Sequence, residues 1–168
     1  MFGIQPDVIT VAKGLTSGYL PLGASIFSDR IFDVIAEEGH GRYFAVGYTY
    51  SGHPVACAVA LANLDVIERE GLVDRVREET GPYLAQQFAT LSDHPLVAGA
   101  ETFGMVGGLV LMKDKARHLA FDSSLEVGMI CRDHCFANGL VMRAVGDRMI
   151  VAPPLVCTKA QIDEMMER

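Results

Sequence analysis

No cluster of lysine and arginine stands out in this chain, and cations are the minority: 14 Lys and Arg against 21 Asp and Glu leave a formal charge of −7. Nucleic-acid binding needs a basic stripe, so that class of partner is not expected. Long apolar runs are missing too. The longest, Val55 to Ala62, is far short of the roughly 20 residues a helix needs to cross a bilayer, so no membrane role is expected. Met1 to Asp7 has neither a basic start nor an apolar core, and no secretory leader is expected from it. Cysteine is sparse. Cys57, Cys131, Cys135 and Cys157 are scattered among apolar neighbours, which fits reduced, buried thiols and a cytoplasmic setting better than a disulfide framework.

Several familiar chemistries are absent as well. Gly99, Gly104, Gly107 and Gly108 do not meet Gly-x-Gly-x-x-Gly, so no nucleotide fingerprint is assigned. Ser51 and His53 hint at a hydrolase, but no Gly-x-Ser-x-Gly elbow accompanies them, and His53 reads as structural. Cys131, His134 and Cys135 fall on neighbouring helical turns without a fourth ligand, so buried packing is expected and no metal.

What is present is a chain of 168 residues, 50% hydrophobic, enough to bury a core and to form one or two domains. Its informative stretch is Ile9 to Ala24. Val8 to Ala12 is a short β-branched run without helical period, read as a buried strand of an α/β sheet. It ends in Lys13-Gly14, which places an amine at the carboxyl edge of the sheet, where such folds bind ligands. Among apolar neighbours, Lys13 is a candidate neutral nucleophile. Gly14, Gly18 and Gly23 with Pro21 then build a tight loop that lets a flat ligand approach the backbone.

Further elements follow from local chemistry. Phe27 to Arg30 turns the chain, Ile31 to Ile35 is a short helix, and 37–42 is an exposed loop. Pro54 opens a helix, apolar all round for two turns and so expected to be buried, that runs to about Glu70 and ends at Gly71. The start of that helix, with the hydroxyls of Thr49 and Ser51, favours an anion. Leu72, Val76, Thr80, Leu84 and Phe88 give a second apolar stripe, interrupted at Gly81-Pro82. Asp93 to Pro95 is a turn, and 96–98 and 105–112 are strands. Ser123 with Glu126 forms a capping box before a helix that Gly139 closes; Thr158 with Gln161 forms another before the last helix. Leu140 to Arg143 is a strand, Val145 to Asp147 a turn, and Met149 to Val151 its returning partner. Arg143 is either a surface arginine or a bidentate carboxylate clamp.

The Ala12-Lys13-Gly14-Leu15 segment, with the loop Gly18-Tyr19-Leu20-Pro21-Leu22-Gly23-Ala24, resembles the cofactor-lysine region of class III pyridoxal-phosphate-dependent aminotransferases, and the likeness covers essentially the whole chain. It implies an α/β fold: the C-terminal part of the fold-type I large domain over 1–92, then a truncated small C-terminal α+β domain over 93–168. It implies that Lys13 binds pyridoxal 5'-phosphate as a Schiff base. Thr49, with Tyr48 beside it, would contact the cofactor phosphate from the neighbouring subunit of a homodimer. Met142-Arg143-Ala144, followed by Gly146-Asp147 and Ala152-Pro153-Pro154-Leu155, resembles the substrate-carboxylate segment of the ω-amino acid–pyruvate branch. The implied reaction moves an amino group from an amine or ω-amino acid to a keto acid such as pyruvate.

The acid that pairs the pyridine nitrogen, the ring that stacks on the cofactor and the glycine-rich phosphate loop lie upstream in that family and have no counterpart here. With both ends of the chain cutting into regular elements, a C-terminal fragment of a longer enzyme is expected, inactive or very weak alone. Two alternatives stay open: a decarboxylase or aminomutase on the same scaffold, and a non-catalytic piece that only folds or dimerises.

Overall fold

The computed structural model describes residues 3–37, 39 and 44–168. The expected loop over 37–42 falls mostly outside them. The chain divides into two compact units, 1–70 and 71–168.

In the first unit, β1 (Val8–Val11) pairs antiparallel with β2 (Ala24–Phe27), with Val8 opposite Phe27 and Val11 opposite Ala24. The strand before Lys13 forms where the apolar run places it, but not as a buried strand. Val8 and Ile9, which point to opposite faces, each remain 43% exposed, so the described residues of this unit fully cover neither face of the ribbon. β2 occupies residues read as the end of a loop. Its start is joined to β1 by the tight segment 12–23, and its end leads into α1 (Asp29–Ala36). Asp7 fastens this corner. Its carboxylate accepts from Ser28 Oγ at 3.1 Å and from the Arg30 guanidinium, which holds the carboxyl below its ordinary range.

α2 (Pro54–Arg69) starts at the proline, and Gly71 follows in the left-handed region, φ 59°. The expectation that α2 is buried all round is corrected. Only Ala56 and Ala60 are buried, while Val55, Leu61 and Leu64 are exposed.

The second unit opens with α3 (Leu72–Arg75), a wide π turn over Val76–Thr80, and α4 (Gly81–Ala89). Pro82 lacks the N–H that a regular helix would use here, and the wide turn absorbs the interruption. A Cβ on Gly81 would sit 2.5 Å from the Val76 carbonyl, so the turn depends on glycine. The stripe survives: Leu72, Thr80, Leu84 and Phe88 are all buried. The two compact units part at 70/71. Leu84 and Phe88 belong to the core of the second unit and draw their helix into it.

That core lies under a four-stranded antiparallel sheet, order β3-β4-β6-β5, made of β3 (Val97–Phe103), β4 (Val106–Leu111), β5 (Arg143–Val145) and β6 (Arg148–Val151). Met149 and Ile162 are wholly buried there, the latter from α6 (Lys159–Glu167), whose Thr158–Gln161 capping box forms as expected.

The capping box expected at Ser123 and Glu126 does not form. Residues 123–125 make a 3₁₀ turn capped by Asp122, Glu126 turns left-handed at φ 47°, and α5 (Val127–Ala137) begins after it. The first turn of α5 is served instead from the β5–β6 hairpin, where Asp147 Oδ1 accepts from Gly128 N at 3.1 Å. Of the residues expected to pack in α5, Cys135 is buried and Cys131 packs against the core, where burial raises its thiol pKa; His134 is exposed. The strand expected over 140–143 starts only at Arg143. Residues 140–142 come off the helix end, where Leu140 N donates to Cys135 O at 2.8 Å and Met142 drops into the core.

α4 and α6 are joined by Tyr83 Oη, which donates to Asp163 Oδ1 at 2.5 Å, under the Lys159 ammonium 5.4 Å from its ring. That carboxylate raises the Tyr83 pKa. A raised folded pKa means the bond stabilises fully below the ordinary phenol value of about 10 and is lost as pH climbs through the folded value. Tyr83→Phe is therefore expected to lower Tm at about pH 8, with the gap shrinking as pH rises past the ordinary phenol value of about 10. Calorimetry across that range checks it.

Candidate active site

Lys13 lies two residues past the end of β1 and begins a single 3₁₀ turn, Lys13–Leu15. Its φ is 53°, and that of Ser17 is 49°. Non-glycine residues held there cost on the order of 1–3 kcal/mol each and persist only where the surroundings over-determine them. The surroundings do so. Leu15 N donates to Ala12 O, Thr16 N to Lys13 O and Ser17 N to Gly14 O, at 3.2–3.3 Å. Thr16 is buried, and its Oγ1 donates to Leu20 O at 2.5 Å, pulling the two arms of the loop together. From α2, Asn63 reaches the same turn with both ends of its amide.

The Lys13 side chain is exposed and borders an open cleft of about 650 Å³, lined also by Ala12, Thr16, Gly18, Pro21 and Gly23. A Cβ built on Gly14 or Gly18 would meet nothing within 4 Å, so there is open space beside the turn. These residues fit a flat aldehyde cofactor: a primary amine, small neighbours and room. Leu20, Pro21 and Leu22 also line a second cleft of about 410 Å³, closed on its other side by Tyr50, His53 and Ala56. The loop is thus a partition between the amine and the start of α2.

At that start, His53 is the cap. Its Nδ1 accepts from Ala56 N at 3.3 Å, and its ring tilts against Tyr50 with centroids 6.0 Å apart. The structural reading of His53 thereby has a stated job. Ser51 Oγ accepts from Tyr48 N at 2.9 Å and closes the preceding turn. Thr49 is exposed and its hydroxyl has no partner among the described residues; Tyr48 is 81% exposed.

Arg143 belongs to the second unit and to its edge strand β5. Its pairing with Ile150 leaves the side chain exposed, while the next residue, Ala144, faces buried Met149. No acid of the described residues engages the Arg143 guanidinium, in contrast to Arg77 with Asp74 and Arg168 with Glu164. Among the described residues no three His, Cys, Asp or Glu converge as a metal site. No described helix is long and apolar enough to cross a membrane.

Sequence reasoning missed Thr16, Ser17 and Asn63. Asn63 carried a signal, being an amide inside the apolar run of α2.

The family described as aminotransferase class-III matches residues 1–168. The chain is 49% identical over 165 residues to a putrescine–pyruvate aminotransferase of Pseudomonas aeruginosa, covering 98% of this chain and 35% of that one. It spans, then, about a third of the length of the curated relatives it matches. Among solved structures, a thermostable (S)-enantioselective omega-transaminase from Thermomicrobium roseum superposes with a TM-score of 0.92 at 38% identity, covering 99% of this chain and 36% of that one. A PMP-bound aminotransferase from Vibrio fluvialis gives 0.88 at 33%, covering 99% and 37%. Sequence and mixed α/β architecture agree, and this chain belongs to the class III aminotransferases, a family of pyridoxal-phosphate-dependent enzymes.

Proposed function

We propose that this chain carries the cofactor lysine and the acceptor-binding arginine of an aminotransferase that moves an amino group from an amine or ω-amino acid to a keto acid such as pyruvate. The observation that carries this reading is Lys13, a primary amine presented from a fastened left-handed turn to an open cleft. Pyridoxal phosphate, when bound, supplies the electron sink for the substrate carbon. Lys13 would hold it through Nζ. Once freed by the incoming amine, Nζ would take the proton from the amine-bearing carbon and pass it to the cofactor's aldehyde-derived carbon, and in the second half-reaction would carry a proton the opposite way.

Thr49, exposed beside exposed Tyr48 and with its hydroxyl unpartnered among the described residues, suits donation to a phosphate across a homodimer interface. Arg143 has the free guanidinium that a bidentate clamp on the keto acid's carboxylate requires. The domain reading that goes with this assigns 1–92 to the end of the cofactor-binding domain and 93–168 to the small domain.

Borohydride reduction in the presence of pyridoxal phosphate, followed by peptide mapping, tests the assignment in the natural polypeptide that carries these residues. The label is expected on Lys13 and not on Lys113, Lys115 or Lys159; a label elsewhere, or none, rejects it. Arg143→Ala is expected to raise KM for pyruvate by about ten- to a hundred-fold, the worth of a charge-assisted hydrogen bond. The half-reaction with an amine that has no carboxylate should keep its rate. Single-turnover kinetics of the two half-reactions check both arms.

A further inference from the structure

We infer that Asn63, on α2, is a positioning residue that sets the direction in which the Lys13 amine leaves the backbone. One side chain spans the turn. Asn63 Nδ2 donates to Gly14 O at 2.9 Å and to Leu15 O at 3.2 Å, and Oδ1 accepts from Ser17 Oγ at 2.6 Å. The orientation of the amide is fixed by chemistry, because two carbonyls accept only and must face the NH₂ group.

The three contacts lie between the two non-glycine residues of positive φ in this loop and on the second of them. Gly14 and Leu15 follow Lys13 directly, and Ser17 is itself left-handed. The turn's own backbone bonds, at 3.2–3.3 Å, are long. Release of the Gly14 and Leu15 carbonyls would free the Leu15–Thr16 peptide, whose N–H holds Lys13 O, and so loosen the turn and let Lys13 φ relax toward the ordinary α or β regions, swinging Cβ and the whole butyl-ammonium arm with it. The bond is also non-local. α2 contributes it forty-nine positions along the chain from Gly14, so the helix whose first turn lies beside Thr49 also aims the amine. Asn63 touches no reacting atom; it works through the backbone of the turn.

This rests on the reading of Lys13 as the cofactor lysine, and the test separates the two. In the natural polypeptide, Asn63→Leu and the isosteric Asn63→Asp are compared with wild type by the rate of borohydride-trapped labelling with pyridoxal phosphate, as a function of pH, at Lys13 and at the reference Lys159. Amide hydrogen exchange of Leu15, Thr16 and Ser17 is followed in parallel. Both variants are expected to slow Lys13 labelling about tenfold or more, since a displacement of about 1 Å at a reacting group costs up to about a hundredfold. Lys159 labelling should be unchanged, and exchange at the three amides faster. Should Asn63→Leu fail to fold, Asn63→Asp decides alone: it keeps the shape and the Oδ1 acceptor but has no donor for the two carbonyls. An unchanged Lys13 rate in folded Asn63→Asp overturns the proposal. Absence of label on Lys13 in wild type overturns the cofactor-lysine reading instead, while the exchange data still report whether Asn63 holds the turn.

Discussion

Lys13→Ala and Lys13→Arg are both expected to lower the proposed amino transfer by at least about 10²–10⁴-fold, the range of a missing acid–base group, with the proposed covalent role adding to it. The arginine variant is the sharper test. It keeps a long cationic arm on the same left-handed turn, so the fold of the loop is preserved, yet guanidinium stays protonated and neither condenses with an aldehyde nor accepts a proton. The chain's other lysines, Lys113, Lys115 and Lys159, all belong to the second unit. Lys115 Nζ is committed to Ser92 O at 2.7 Å and His94 O at 3.3 Å, and Lys159 lies over the Tyr83 ring. Steady-state assays with an amine and pyruvate, with mass spectrometry for the bound cofactor, measure the loss. Retention of turnover within about tenfold would remove Lys13 from the mechanism.

The largest effect on stability is expected at Gly128. A Cβ built there falls 1.9 Å from the Gly146 carbonyl oxygen and 3.2 Å from the Asp147 Cα, both backbone, so no side chain can rotate away. Gly128→Ala must push α5 off the β5–β6 hairpin and stretch the Asp147 bond to Gly128 N. Overpacking of this kind costs about 1–3 kcal/mol and the lost cap about 1 more. Against a total of about 5–15 kcal/mol, that is a large share. A fall in Tm of about 10 °C or more is expected by calorimetry. Gly99→Ala, where a Cβ meets nothing within 4 Å and φ is not positive, serves as the control and should be near neutral.

These two glycines also mark what could be read in advance. β1, Lys13 just past its end, α2 from Pro54 and the cap of α6 were legible, because each is written in adjacent residues: a β-branched run, a proline, a Thr-x-x-Gln box. The start of α5 was not. Ser123 and Glu126 have the spacing of a capping box, but the helix takes its cap from Asp147, nineteen residues on, and the local signal lost to a tertiary one. β2 was missed because four residues after a glycine loop carry little pattern, and their pairing with β1 is set by the loop that joins them. Apolar composition alone also misjudged burial for β1 and α2: an apolar face is buried only where something packs on it, and in the first unit the described residues leave Val8, Ile9, Leu61 and Leu64 open. The lysine that follows β1 was therefore readable from sequence, whereas the Asn63 hydrogen bonds to its turn were not.

The hairpin at Gly146-Asp147 has only two residues between paired Val145 and Arg148. Side chains alternate across a strand, so one inserted residue in that corner would exchange the faces of Arg143 and Ala144, sending a guanidinium inward toward Met149 and a methyl group outward. Loop length, as much as residue identity, decides whether the Arg143 guanidinium stands on the open face of this edge.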